Sequence, residues 1–214
     1  MIMQTNELKK LYEEKKNEIK NRLKEFQQLM NESDEKLFAE LAFCLCTPQS
    51  KAKECDKAIK ILEKNKLLYT GNERQIRAFL TNVRFPENKS KFIVEARSKL
   101  SVNGKIEMKK FLDKFENSFE AREWLTENIK GLGYKEASHF LRNIGFADDL
   151  AILDRHILRC LKYFKVIEEI PKSLTPKKYL EIENKMKRFA EEVGINFAEL
   201  DLLFFYRQTG EIFK

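Results

Sequence analysis

At 214 residues with 43% apolar side chains, the chain can bury a substantial core, either as one large domain or as two lobes sharing a cleft. Its 41 Lys and Arg against 34 Asp and Glu leave a net charge of +7, which suits a polyanionic partner and equally suits a solvated, highly charged surface. The four cysteines form no CxxC pair and lack paired histidine ligands, which argues against a disulfide framework or a metal cluster, and no run of eighteen apolar residues offers a membrane span.

In chain order the pattern is helical. MIMQTNELKK carries no apolar signal core, so the expectation is a chain that is not exported. Leu8, Leu11, Tyr12, Ile19, Leu23, Phe26 and Met30 mark one face of a long, charged first helix. After Ser33 the period resumes with Leu37, Phe38, Leu41, Ala42 and Leu45, and Pro48 ends that helix near Cys46. Cys44 and Cys46 fall in this apolar run, where a reduced thiol acts as a small buried hydrophobe and fits a cytoplasm.

Further helices are expected over Lys51–Lys64, Glu73–Leu80, Lys89–Leu100, Met108–Phe115 and Phe119–Asn128. Thr175 before Pro176 reads as a helix N-cap with proline in the first turn, and Gly194 as the stop. Asn196 with Glu199 resembles a capping box for a last helix, Phe197–Gln208, closed by Gly210. No strand signal is read against this pattern, so the fold class is all-α.

Two stretches carry the functional argument. In IKGLGYKEASHFLRNIG, Gly131 and Gly133 precede a helix whose Ala137, Phe140, Leu141 and Ile144 face inward, while Lys135, Ser138, His139 and Arg142 are expected to face away from the core. The glycines would allow a turn with positive φ and leave free N–H groups at the helix start, a place for an anion such as a DNA phosphate. A plain helix-turn-helix corner explains the same residues. In LAILDRHILRCL, Asp154 stands where its side chain can cap a helix with Ile157, Leu158 and Leu161 inside. By itself that is only a cap.

Together the two stretches resemble a known active site. G-x-G-x-K followed about nineteen residues later by D-x-H is the signature of the helix-hairpin-helix DNA glycosylase superfamily, present here as Gly131, Gly133, Lys135, Asp154 and His156. TPQSKA, Thr47–Ala52, is similar to the loop of that superfamily whose amide enters the duplex. The run Ile129–Gly145 and the ending TGEIFK resemble its small, iron–sulfur-free 8-oxoguanine glycosylase/AP lyase branch. Lys130 replaces the proline many members have there, and the four-cysteine cluster of endonuclease III is missing.

The resemblance implies two helical lobes, residues 31–145 against 1–30 with 146–214, and a helix-hairpin-helix at the interlobe cleft. It implies a monomer, cytoplasmic or nucleoid-associated, acting without cofactor, metal or membrane on double-stranded DNA containing 8-oxoguanine. Lys135 would be the nucleophile, since a bifunctional enzyme needs an uncharged amine to attack C1′ and hold the sugar as a Schiff base. Asp154 would stabilise the charge developing on the sugar and take part in proton transfer. Gln49 would fill the gap left by the flipped base, although a polar loop residue after Pro48 explains it equally. Phe85 and Phe205 would sandwich the base, with plain core packing as the other account of Phe205. Lys214 would help recognise the base unless the C-terminus frays. His156 is expected to make a structural hydrogen bond, His139 to be exposed and Trp124 to sit in the core. A glycosylase for another oxidised base, a non-catalytic hairpin module and a helical scaffold remain as alternatives.

Overall fold

The computed structural model describes residues 2–214, with side chains from Met3 onward. Among these the chain forms twelve helices and one two-stranded hairpin: α1 Ile2–Leu29, α2 Asp34–Cys46, α3 Ala52–Lys64, α4 Leu67–Thr70, α5 Glu73–Arg77, α6 Pro86–Lys99, β1 Ser101–Val102, β2 Lys105–Ile106, α7 Met108–Leu112, α8 Ser118–Asn128, α9 Tyr134–Asn143, α10 Arg155–Tyr163, α11 Pro176–Val193 and α12 Phe197–Thr209. No helix is long and apolar enough to cross a membrane among the described residues.

Helix boundaries follow local capping chemistry. Ser33 accepts from the Lys36 N–H to open α2, Thr175 accepts from Lys178 N–H to open α11, and left-handed Gly194 and Gly210 end α11 and α12. Asn196 caps α12 as expected, but Glu199 does not complete the box; its carboxylate instead accepts a bond from the Tyr12 hydroxyl of α1. Tertiary pairing has taken the place of a local cap.

The β1–β2 hairpin departs from the all-helical reading in detail. Ser101 pairs with Ile106 and Val102 with Lys105, and Asn103 and Gly104 close the turn with φ of 51° and 77°. Asn-Gly is the pair that a two-residue turn with positive φ favours. The short α4 was also not expected, while α6 begins earlier than its hydrophobic period, at Pro86.

Buried apolar side chains fall into two clusters. One runs from Leu37 to Leu150 around α2, which is almost wholly enclosed; the other joins Leu8, Ile19 and Phe26 of α1 to side chains between Ala151 and Phe204. α1 spans both by packing on α12 and α9, and Gly145, just beyond α9, touches it so closely that a Cβ there would lie 2.4 Å from the Gln27 Cα. The four cysteines are free and buried.

Candidate active site

Helices α8 and α9 and the turn between them form the hairpin. Gly131 lies at φ +92°, a conformation costly for any residue with a Cβ, and an added Cβ would meet Phe92 Cδ2 at 2.4 Å. Gly133 is different: at φ −95° and ψ −176° it is extended backbone that any residue adopts. Its N–H donates to Glu136 Oε2 at 3.3 Å, so the expectations of positive φ at both glycines and of a free N–H at this one are corrected.

The outward face assigned to α9 is corrected as well. Ser138, His139 and Arg142 are buried: Ser138 accepts from Arg122, Arg142 lies over Phe26 of the second apolar cluster, and His139 packs on the first. His139 presents its ring edge to Phe43 with centroids 5.7 Å apart. Burial, then the charges of Lys135 and Arg142, holds it well below the ordinary histidine range, hence neutral.

A cleft of about 650 Å³ opens between the hairpin helix, the 47–52 loop, the start of α10 and the end of the chain. That volume lies within the range of sites that take a small ligand. Lys135, Asp154, Gln49, Phe205 and Lys214 all line it. Gly131 and Gly133 sit outside it on the exposed hairpin turn, and Phe85 is not among the lining residues either. Phe85 is 49% exposed at φ 58°, beneath the Arg84 guanidinium at the start of α6.

Lys135 is the second residue of α9, its side chain 22% exposed. Its Nζ donates to Thr47 Oγ1 at 3.4 Å and lies 3.9 Å from Glu136 Oε1. Asp154 is the N-cap of α10: its Oδ1 accepts from the His156 and Ile157 N–H groups at 2.7 and 2.8 Å. With that oxygen fixed by two backbone donors, the carboxylate's direction is set by the helix rather than by a flexible rotamer. His156 does not make the structural hydrogen bond expected of it; its Nδ1 is buried without a partner, and the ring stands edge-on to Phe205 at 5.6 Å.

The loop carrying Gln49 is braced from below. Lys89, 4% exposed, donates to Cys46 O at 2.6 Å, Pro48 O at 2.8 Å and Ser50 Oγ at 2.9 Å, leaving Gln49 exposed at φ 56° on the loop. The chain's end is tied down rather than frayed: Lys214 Nζ lies 3.0 Å from Glu40 Oε2, 2.8 Å from Asp56 Oδ1 and 4.4 Å from the centre of the Phe43 ring. Trp124 packs against the first cluster, 4.5 Å from Phe111.

Asp201 was not singled out from the sequence, yet it lines the same cleft. Burial pushes its carboxyl up to about 6, with Arg142 pulling the other way and Asp154 adding to the rise. Arg142 NH1 donates to Asp201 Oδ2 at 3.4 Å and its Nε to Asn143 Oδ1 at 2.8 Å, while Asn143 Nδ2 donates to Glu40 Oε1 at 2.6 Å. A polar chain therefore runs from Lys214 through Glu40 to the wall beside Asp154. The signal in the sequence was a lone acid in the apolar run Leu200–Phe205, which needs a partner if buried.

A family model described as 8-oxoguanine DNA glycosylase matches residues 19–195. The chain is 50% identical over 210 residues to a Fusobacterium nucleatum protein named 8-oxoguanine DNA glycosylase/AP lyase, covering 98% of this chain and 97% of that one. Methanocaldococcus jannaschii 8-oxoguanine glycosylase/lyase, solved in complex with a 15mer DNA containing 8-oxoguanine, superposes with a TM-score of 0.90 at 40% identity, over 99% of this chain and 100% of that one. The 8-oxoguanine DNA glycosylase of Thermotoga maritima gives 0.84 at 37% identity, with both chains fully covered.

Proposed function

The chain belongs to the 8-oxoguanine DNA glycosylase family, and from that premise we infer that it is a bifunctional repair enzyme, excising 8-oxoguanine from DNA and cleaving the strand where the base was lost. The observation that carries the residue assignment is the convergence of Lys135 and Asp154 on one cleft large enough for a purine.

The base must leave the stack before either group can reach its sugar. The exposed hairpin turn at Gly131 and Gly133, at the N-terminal end of α9, receives a backbone phosphate and sets the strand's position. Gln49, on the loop braced by Lys89, occupies the space vacated in the duplex, and the flipped base enters the cleft against the Phe205 ring. Lys214 stands at the cleft wall with its ammonium already held by Glu40 and Asp56, so it offers an incoming base a fixed rather than a mobile contact.

The uncharged Lys135 amine attacks C1′ as the glycosidic bond breaks and the base leaves with that bond's electron pair; the proton shed by the new C1′–ammonium goes to the departing base, which leaves neutral. Opening of the sugar ring converts the adduct into a Schiff base. Loss of a proton from C2′ then expels the 3′ phosphate by β-elimination, and water releases the lysine. Asp154 opposes the positive charge that grows on the sugar and takes part in moving these protons, from a position fixed by two backbone donors.

Single-turnover assays of Lys135→Gln on an 8-oxoguanine duplex test the reading. The expected result is loss of both base release and strand scission with duplex binding retained. Full activity in that variant removes the mechanism.

A further inference from the structure

The segment that delivers Asp154, residues 150–154, has no regular secondary structure, so its backbone groups need partners from elsewhere. Ile152 bonds to Asp201 of α12 and its carbonyl accepts from the Asp154 N–H, while helix α11 supplies the partners of Ala151 and Leu153. The Tyr179 hydroxyl donates to Ala151 O at 2.6 Å and accepts from Leu153 N–H at 3.2 Å, and Glu183 Oε2 accepts from Ala151 N–H at 2.7 Å. Both side chains are buried, and no residue of α11 lines the cleft. Their polar atoms are therefore spent on the backbone immediately before Asp154 and, for Glu183, on Arg122, and on nothing that lines the cleft.

Glu183 connects this segment to the hairpin. Arg122 of α8 donates to both its oxygens, NH1 to Oε2 at 2.7 Å and NH2 to Oε1 at 3.0 Å, and also to Ser138 Oγ at 3.3 Å. Ser138 lies one turn beyond Lys135 on α9, so one buried set of side chains joins the helix bearing the amine to the segment bearing the carboxylate. A buried ion pair is a weak source of stability compared with apolar packing, and a phenyl ring would fill the Tyr179 space while leaving the Ala151 carbonyl and the Leu153 N–H without their partner. What the polar groups add is a fixed arrangement.

We propose that Tyr179 and Glu183, through Arg122, are positioning residues that hold Asp154 at its working place relative to Lys135. The inference rests on the assignment of those two residues to the chemistry. Tyr179 and Glu183 touch no substrate and act only by fixing where the carboxylate stands.

The test compares single-turnover excision of 8-oxoguanine by wild type, Tyr179→Phe, Asp154→Asn and the double variant, with duplex affinity and thermal melts measured alongside. Tyr179→Phe removes the hydroxyl while keeping the ring, and should slow excision about ten- to hundredfold, as expected for a displacement near 1 Å, with affinity unchanged. In the Asp154→Asn background the same substitution should cause no further slowing, because the group it positions is already lost. Glu183→Gln, which keeps an acceptor for the Ala151 N–H, should give a smaller loss that also vanishes in that background, and it carries the test if Tyr179→Phe does not fold. Equal slowing in both backgrounds marks a general structural role and overturns the proposal, as does an unchanged rate for both single variants. Unchanged excision by Asp154→Asn alone overturns the underlying assignment and the proposal together, and is recognised without any change at Tyr179.

Discussion

The two hairpin glycines should respond very differently to alanine. At Gly131 a Cβ must be accommodated at φ +92° and only 2.4 Å from Phe92 Cδ2. The left-handed backbone costs a residue with a side chain roughly 1–2 kcal/mol, and forcing Phe92 aside adds about 1–3 kcal/mol. The total is roughly 2–5 kcal/mol, which in a chain of this size lowers the melting temperature on the order of 10 °C. If the hairpin receives a phosphate as proposed, strain relieved at the exposed turn should remove that contact too, worth about 1.5 kcal/mol or roughly tenfold in Kd. Gly133→Ala is the control: the backbone is extended and the new Cβ meets only the end of the Glu136 side chain, Oε2, at 3.3 Å. Its cost should stay below about 1 kcal/mol, the penalty for alanine at a helix N-cap. Denaturant unfolding and duplex binding of both variants decide the matter. Equal losses at the two positions would refute the geometric reasoning, as would a Gly131→Ala variant as stable as wild type.

Three other outcomes follow from the charged groups. Lys214 and Lys60 outweigh burial and hold the Asp56 carboxyl below its ordinary range, so the stability this group contributes is present above pH ~4 and is lost as pH falls through its lowered value; Lys214→Gln should therefore flatten the acid limb of the stability curve, and an unchanged limb contradicts the pairing. Asp201 behaves oppositely: with its carboxyl raised to about 6, the folded chain holds that proton more tightly than the unfolded one, so this group's contribution falls as pH rises from ~4 to about 6. A carbon-detected titration should place the Asp201 midpoint near 6, and an ordinary carboxylate midpoint counts against its burial beside Asp154. Asp154→Asn should keep α10 capped, with stability within about 0.5 kcal/mol of wild type, whereas Asp154→Ala should lose about 1 kcal/mol; equal stability of the two variants in a melt speaks against the cap.

What could be read from the sequence was what local chemistry decides. Ser33, Thr175, Asn196, Gly194 and Gly210 end or begin helices because their own side chains or φ angles settle the matter within one turn. Local chemistry showed Lys135 and Asp154 only as residues at two helix starts; their pairing as one site was legible through the resemblance of G-x-G-x-K and D-x-H to a known family. The buried second face of α9 was not, since amphipathicity shows which face is most apolar and cannot show that other elements will cover the polar one. Arg142 and Asp201 pair across 59 positions of chain, with no local signature. The β1–β2 hairpin is a different case: Asn103-Gly104 carries a recognisable turn signal, and the strands beside it are only two residues each, too short to show alternation.

Base release and strand scission both require the Lys135 amine to become bonded to sugar carbon. Borohydride reduction of the enzyme on an 8-oxoguanine duplex, followed by peptide mapping of the cross-linked chain, measures that bond directly. The expected result is a stable adduct on the peptide containing Lys135, absent from Lys135→Gln. Strand cleavage without a trapped adduct, or an adduct mapping to another lysine, contradicts it.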